Sequence, residues 1–392
     1  MRLFPGETEE TRLQYLQENY SWASLVKEVQ ESNKYSDLDK RKIKHAFKVM
    51  ADVFGSEFPI EVMLNKHPLS KKLVYKTDWS RYWFVWFSEM IENIRSKIGD
   101  TNIFKEYKNP TNAKEKYEVI RNAHRFIKAG FDVTIEPEVK VEGKTKRPDL
   151  RLHNQDNNDE IIIEISEVAI ADQQKEAMKP FETIMNFMMK NNHPHHLHYG
   201  GRLNKVLSEK TTKDVLRTIQ EKIIKLQTSE ICQFIDNEEI TMGMSIHLEK
   251  EYEEWMKKNS LQTGSFSSPD ADVNEIHRIK RKMNGKQKQL PKGTQSILII
   301  YPHFFFGQTP EAVFSKLEEE VYKYDNLLFL AIISEVAISS ENSISSKGEH
   351  RFYSQNTSLL CNESVYLFYN KYNNLPITPN TMRKIQDAFR DY

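Results

Sequence analysis

The sequence predicts an α/β protein: a mixed sheet flanked by helices, preceded by a mainly helical N-terminal domain. Three observations carry this. Residues 1 to about 110 place apolar side chains at spacings of three and four with few strand signals. After "YKNPTNAKEK", whose Pro, Asn and Thr suit a boundary, strands and helices begin to mix. Within that part "RPDLRLHNQDNNDEIIIEISEV" (147–168) reads as two apolar-alternating strands joined by a turn of Asn, Asp and Gln.

In chain order, "LQYLQENYSWASLVKEVQ" and "DLDKRKIKHAFKVMADVF" read as amphipathic helices. "WSRYWFVWFSEMIENI" crowds Trp79, Tyr82, Trp83, Phe84, Trp86 and Phe87 together. Such rings can stack on bases, but an apolar helical stripe is more often core, so a helix buried between two domains is expected. "NAKEKYEVIRNAHRFIKAG" is an amphipathic helix stopped by Gly130, and "FDVTIE" alternates as a strand before the hairpin. "DQQKEAM" opens a helix that Pro180 should kink or split. Residues 191 to about 292 look like an irregular insertion holding one helix, "TKDVLRTIQEKIIKLQ", and one strand, "ITMGMSIHL". "QSILIIYP", "TPEAVFSKLEEEVYKY" and "NLLFLAIISEVAI" then give strand, helix and strand. The hexapeptide "ISEVAI" occurs at 165–170 and 333–338, but its flanks do not repeat, which points to convergence on a buried strand.

Composition narrows the function classes. The 392 residues suffice for two domains with cores of their own, and 39% apolar with 29% charged residues is a globular balance. Lys+Arg and Asp+Glu both number 56, so a polyanion would have to meet a local patch rather than the whole molecule's field. Cys232 and Cys361 are too few and too far apart for a disulfide framework or a zinc cluster. The start shows no apolar signal region, and no run approaches the ~18 apolar residues of a membrane span, so a cytoplasmic protein without membrane contact is expected.

The hairpin carries an acid on each arm. Leu150 and Leu152 share a face of their strand, as do Ile161, Ile163 and Ile165 of theirs, and both sets should meet one core. A turn centred between Asp156 and Asn157 sets Leu150 against Ile163, Leu152 against Ile161 and Asp149 against Glu164. A one-residue slip on each arm would leave the acids diagonal. Directly opposed side chains hold their β-carbons about 5 Å apart, where like charges destabilise a sheet. A counter-ion is required, and a divalent cation with oxygen ligands supplies one.

Pro148–Asp149 on one strand and Glu164 on the next, after a helix and a first strand, resemble the PD-(D/E)xK nuclease superfamily, the restriction-endonuclease-like fold. Pro-Asp also occurs at Pro269–Asp270 and acid-x-Lys at Glu106–Lys108 and Glu142–Lys144, but not in that order of elements. The resemblance implies a restriction-endonuclease-like mixed sheet over 111–392, with the insertion at about 191–292. It implies Mg²⁺ or Mn²⁺ held by Asp149, Glu164 and the main-chain carbonyl near Ile165, with Glu118, or less well Glu115, as a helical acid. The chain departs from the motif at Ser166, where the family has a lysine that orients and helps activate the attacking water. Some members move that lysine to the following helix, which points to Lys175 and, second, Lys179. Arg147, opposite Ser166 in the assumed register, is another nearby cation.

"IHRIKRKMNGKQKQLPKG" holds Arg278, Lys280, Arg281, Lys282, Lys286, Lys288 and Lys292 with no acid between 278 and 292, a run suited to phosphate contacts. A solvated loop or helix face would look the same. "NNHPHHLHYGG" gathers His193, His195, His196 and His198 around a proline, with no Cys or acid at zinc spacing, and reads as a loop. No phosphate-cradling glycine loop, G-x-S-x-G or H-E-x-x-H occurs. The expected function is a metal-dependent endonuclease acting on DNA, with RNA left open. By analogy it would serve prokaryotic restriction or anti-phage defence, alone, as a homodimer or with a defence-system partner. The alternative is a catalytically silent nuclease-fold module that binds nucleic acid or a protein.

Overall fold

Helical periodicity governs the first third of the chain. The helices there are α1 (Glu9–Tyr20), α2 (Trp22–Glu31), α3 (Asp37–Phe54), α4 (Phe58–Leu64), α5 (Ser70–Val74), α6 (Asp78–Ile98), α7 (Asn102–Tyr107) and α8 (Ala113–Lys128). The computed structural model describes residues 9–75, 77–195, 197–229, 232–269, 273–302, 310–336, 350–353 and 362–390. Ser21 and Ser36 cap α2 and α3 by accepting from the N–H groups of Ser24 and Asp39. Past the end of α8, Gly130 takes φ 85°, the left-handed geometry that glycine adopts without strain.

Beyond α8 come β1 (Asp132–Ile135), β2 (Val139–Val141), β3 (Lys144–Lys146), β4 (Leu150–Asn154), β5 (Asp159–Val168), α9 (Asp172–His195), β6 (His198–Leu203), α10 (Glu209–Ser229), β7 (Gln233–Asp236), β8 (Ile240–Ser245), α11 (Lys250–Lys258), β9 (Phe266–Ser267) and α12 (Glu275–Gln287). The chain closes with β10 (Gln295–Pro302), α13 (Pro310–Val321), β11 (Leu327–Val336), β12 (His350–Tyr353), β13 (Asn362–Tyr369) and α14 (Pro379–Arg390). The main sheet runs β1-β4-β5-β10-β11-β13-β12. Its β5-β10-β11 centre is parallel, and the pairs on either side are antiparallel. The protein is thus a mixed α/β fold with a helix-rich N-terminal region. The two copies of "ISEV" end β5 and β11, the two parallel neighbours of β10. Ala337 and Ile338, the end of the second copy, lie outside the described residues.

Two expectations about domains give way. The chain divides into two compact units, one of Met1–Val168, Arg278–Pro302 and Ser315–Tyr392, the other of Ala169–His277 and His303–Phe314. No division falls at residue 110, because Trp83, Phe84 and Phe87 of α6 enter the same core as Leu150, Ile163 and Ile299 of the sheet. The aromatic helix is buried as expected, but within one core rather than between two domains. Tyr82 and Trp86 are half-buried, and the side chain of Trp79 lies outside the described ones. The second unit is no irregular insertion. It has a sheet ordered β7-β8-β6-β9 and a core of its own, including Ile184, Ile219, Ile223 and Met242. "YGG" on β6 is there because a Cβ on Gly200 would lie 2.2 Å from the Gln262 carbonyl oxygen. Pro180 does not split α9, which runs unbroken from Asp172 to His195. Among the described residues no helix is long and apolar enough to cross a membrane.

Candidate active site

The β4–β5 hairpin forms in the expected register, Leu150 opposite Ile163 and Leu152 opposite Ile161. Those four apolar residues face the core, so Asp149, one step before Leu150, and Glu164, one step after Ile163, share the sheet's other face. The turn between the strands is polar because it docks on the start of α14. Asn154 Nδ2 donates to Thr381 Oγ1 at 2.7 Å, and Asp159 Oδ2 accepts from the Thr378 N–H at 3.0 Å and its hydroxyl at 2.8 Å. Asp156 pairs with Lys384. These contacts hold the register that brings the acids together.

Both acids are buried, Asp149 at 8% exposure and Glu164 at 1%. Asp149 Oδ2 accepts the Ile165 N–H at 2.7 Å. Lys286 Nζ, from the last turn of α12, lies 2.7 Å from Glu164 Oε2. Glu164 Oε1 is buried with no hydrogen-bond partner among the described residues. Burial first, then the neighbouring Asp149, push Glu164 up to about 7, against the opposing pull of Lys286. Burial likewise raises Asp149, with Lys286 and the Ile165 N–H opposing it. Burial alone would lower Lys286, but Glu164 and Asp149 outweigh it and the ammonium is held charged. The like-charge repulsion inferred from the register is therefore present, and part of its compensation is a lysine.

The other sequence candidates fall elsewhere. Glu118 is buried on α8 and pairs with Arg121 at 3.6 Å. Arg121 in turn lies over the Trp86 ring, 5.3 Å from its centroid. Glu115, one helical turn earlier, is the acid whose charge reaches the pair, raising both Asp149 and Lys286. Lys175 belongs to the second unit, is half-exposed and pairs with Asp172 at 2.9 Å, its neighbour in the first turn of α9. Lys179 pairs in the same way with Glu176. Ile165 contributes its main-chain N–H. Arg147 is exposed and pairs with Glu138. Ser166, in the motif-lysine position, is buried.

The basic run is helix α12 and the loop after it. Lys280 pairs with Glu320 at 3.0 Å and Lys292 with Glu142 at 2.9 Å. Arg278 is half-buried, while Arg281, Lys282 and Lys288 are exposed and meet no acid among the described residues. Lys286, read from the sequence as one more phosphate contact, is instead the cation of the acidic pair. Its signal was present: Ile279 and Met283 form the buried stripe of α12, and Lys286 comes next on that stripe, three residues later. Of the histidine group, His195 ends α9, His198 begins β6, and His196 lies outside the described residues, as does Cys361.

Among the described residues no group of three or more His, Cys, Asp or Glu side chains gathers as a metal cluster. Two carboxylates with a partnerless buried oxygen nevertheless suit a small hard cation, which commonly takes one or two carboxylates and completes its shell with water and phosphate oxygens. Compared with models of known protein families, with curated proteins and with solved structures, the chain matches none.

Proposed function

We propose that this protein is a metal-dependent nuclease of the PD-(D/E)xK kind that hydrolyses phosphodiester bonds of DNA, with Asp149 and Glu164 as metal ligands and Lys286 in the role of the absent motif lysine. The observation that carries the reading is the Lys286–Glu164 contact at 2.7 Å, made beside Asp149 on one face of the sheet. The three chemical parts of the motif then come from separate places in the chain: the residue before β4, strand β5 and helix α12. The order helix, three-strand meander and parallel strand, from α8 through β1, β4 and β5 to β10, supports the restriction-endonuclease-like form of the α/β fold.

Asp149 and Glu164 would hold a divalent cation, which in such sites acidifies a bound water and offsets the charge that develops on the scissile phosphate. Asp149 is fixed by the Ile165 N–H, so its second oxygen keeps one direction. Glu164 must be ionised to act as a ligand, and Lys286 favours that state. On its flexible stem the same ammonium can turn to a phosphate oxygen or the attacking water once substrate arrives. Arg281, Lys282 and Lys288, exposed along α12 and just past it, would hold the flanking phosphates. A restriction or anti-phage setting belongs to this proposal by analogy alone.

One observation favours a second reading. The acids are nearly closed off from solvent and already neutralised in part by Lys286, as in a purely structural ion pair of a silent nuclease-fold module. Incubation of plasmid DNA and of single-stranded DNA and RNA with Mg²⁺ or Mn²⁺ separates the two. Cleavage by wild type that disappears in Asp149→Asn, Glu164→Gln and Lys286→Met supports the nuclease. Cleavage that survives in all three removes the site, and none by wild type on any substrate favours the silent module.

A further inference from the structure

The end of α12 that delivers Lys286 to Glu164 also borders a cavity of about 590 Å³ within the first unit. That size lies within the roughly 300–1,000 Å³ range of small-molecule sites. Its wall carries four carboxamides, from Asn284, Gln287, Asn326 and Asn374, beside the ring of Tyr324. The Tyr324 hydroxyl donates to Asn284 Oδ1 at 2.5 Å, and Gln287 Nε2 donates to Asn326 Oδ1 at 2.8 Å, so two walls of the cavity brace each other. The Asn284 N–H₂ and the whole Asn374 carboxamide make no hydrogen bond to the described residues. Lys288, Lys292 and Lys323 stand at the rim against two acids, Glu142 and Asp325. Lys292 is taken up by Glu142 and Lys323 by Glu320, and among the described residues Lys288 makes no salt bridge.

Carboxamides offer a donor and an acceptor side by side, the arrangement that reads the edge of a nucleobase, and an aromatic ring offers it a stacking surface. A lysine at the rim matches a phosphate. The cavity lies near Gly293, five residues before Leu298, which faces Glu164 across the β5–β10 pairing. Three of those five steps lie in β10, about 10 Å of strand at ~3.3 Å per residue, and the other two belong to the turn before it. We infer that this cavity binds one nucleotide, its base among Asn284, Asn374 and Tyr324 and its phosphate on Lys288. If the chain is the nuclease proposed above, on which this assignment to substrate rests, the occupant is an unstacked nucleotide of the strand being cut. A free mononucleotide would present the same chemistry.

The test is fluorescence anisotropy of the full chain with a short labelled single strand in EDTA, where cleavage plays no part. Wild type is compared with Tyr324→Leu, with the surface changes Lys288→Ala and Asn374→Leu, and with Glu164→Gln. The strand is run intact and with an abasic position in each place in turn, and unlabelled mononucleotides are added as competitors. Loss of about tenfold in affinity in Tyr324→Leu and in at least one surface variant, matched by one abasic position in wild type, is expected. Competition by mononucleotides at equal affinity would assign the cavity to free nucleotides, and weak competition to a strand. Unchanged binding in the variants, or equal loss with every abasic strand, overturns the inference. Base-dependent binding by a chain that cleaves nothing would leave the cavity in place and remove only the nuclease.

Discussion

Replacing Lys286 by Met keeps the length of the side chain and deletes the charge that faces Glu164. The contact is 2.7 Å, and the Glu164 side chain is 1% exposed against 24% for the lysine. Unit charges ~4 Å apart attract by about 4 kcal/mol at an effective dielectric near 20. Removing one partner of a buried pair costs about 3–5 kcal/mol if the other stays charged. Glu164 has an escape, since burial and then Asp149 already hold its pKa at about 7, well above the ordinary 4.5, and without Lys286 it rises further. A raised carboxyl pKa means that the folded chain binds the proton more tightly than the unfolded one. Stability is then greatest at acid pH and declines by about 1.4 kcal/mol per unit between the unfolded and folded pKa values. In wild type the decline ends near pH 7, and in Lys286→Met it continues above.

The melting temperature of Lys286→Met should therefore fall below wild type by roughly 5–10 °C at pH 8.5 but by only about 2 °C at pH 5.5, where Glu164 is neutral in both. Calorimetry at the two pH values reads this directly. Cleavage of plasmid at pH 8 should drop at least a hundredfold, in the range seen when a positioned charge is removed from an active site. An equal loss of melting temperature at both pH values would mean that Lys286 acts by packing, and unimpaired cleavage would remove it from the mechanism.

Wild-type cleavage should rise with pH through about 7 and then level off, as Glu164 loses the proton that competes with a metal; a flat profile from pH 5.5 to 8.5 would contradict this ligand role. Lys280→Ala should lower stability by about 1 kcal/mol, because Glu320 is largely buried and among the described residues keeps only Lys323. The double change Arg281→Ala, Lys282→Ala should leave the melting curve in place and reduce the salt dependence of DNA binding by ~2 charges in a log–log titration. Thr381→Val should cost about 1–3 kcal/mol in denaturant melts, since Asn154 Nδ2 is buried against that hydroxyl; an unchanged midpoint would show that the turn does not need α14.

Much of the sheet was legible because its signals are local. Alternation of Leu150, Leu152, Ile161 and Ile163 set the parity of the hairpin, and the Asn- and Asp-rich turn set its centre. Together they placed Asp149 opposite Glu164. What failed depended on distance in sequence. Lys286 is more than a hundred residues from Glu164, and in a run of lysines the one turned inward is marked only by its place after Ile279 and Met283. Glu118 and Glu115 are three residues apart on α8; Glu118 is taken up by Arg121, and it is the charge of Glu115 that raises Asp149. The boundary set at residue 110 rested on a loop, whereas the core crosses it through Trp83 and Phe87. The second unit was missed as a folded body because its strands are short and interrupted by Gly200, Gly201 and Gly243.

In the proposed function Asp149 and Glu164 form one oxygen site for a divalent cation, with Lys286 as its resident counter-charge. Titration of the full chain with Mn²⁺, followed by electron paramagnetic resonance at pH 8 and again at pH 6, tests it most directly. One tightly held ion per chain at pH 8, weaker at pH 6 and lost in Asp149→Asn and Glu164→Gln, is expected. Wild type that leaves all Mn²⁺ free at pH 8, or variants that hold it equally well, would contradict it.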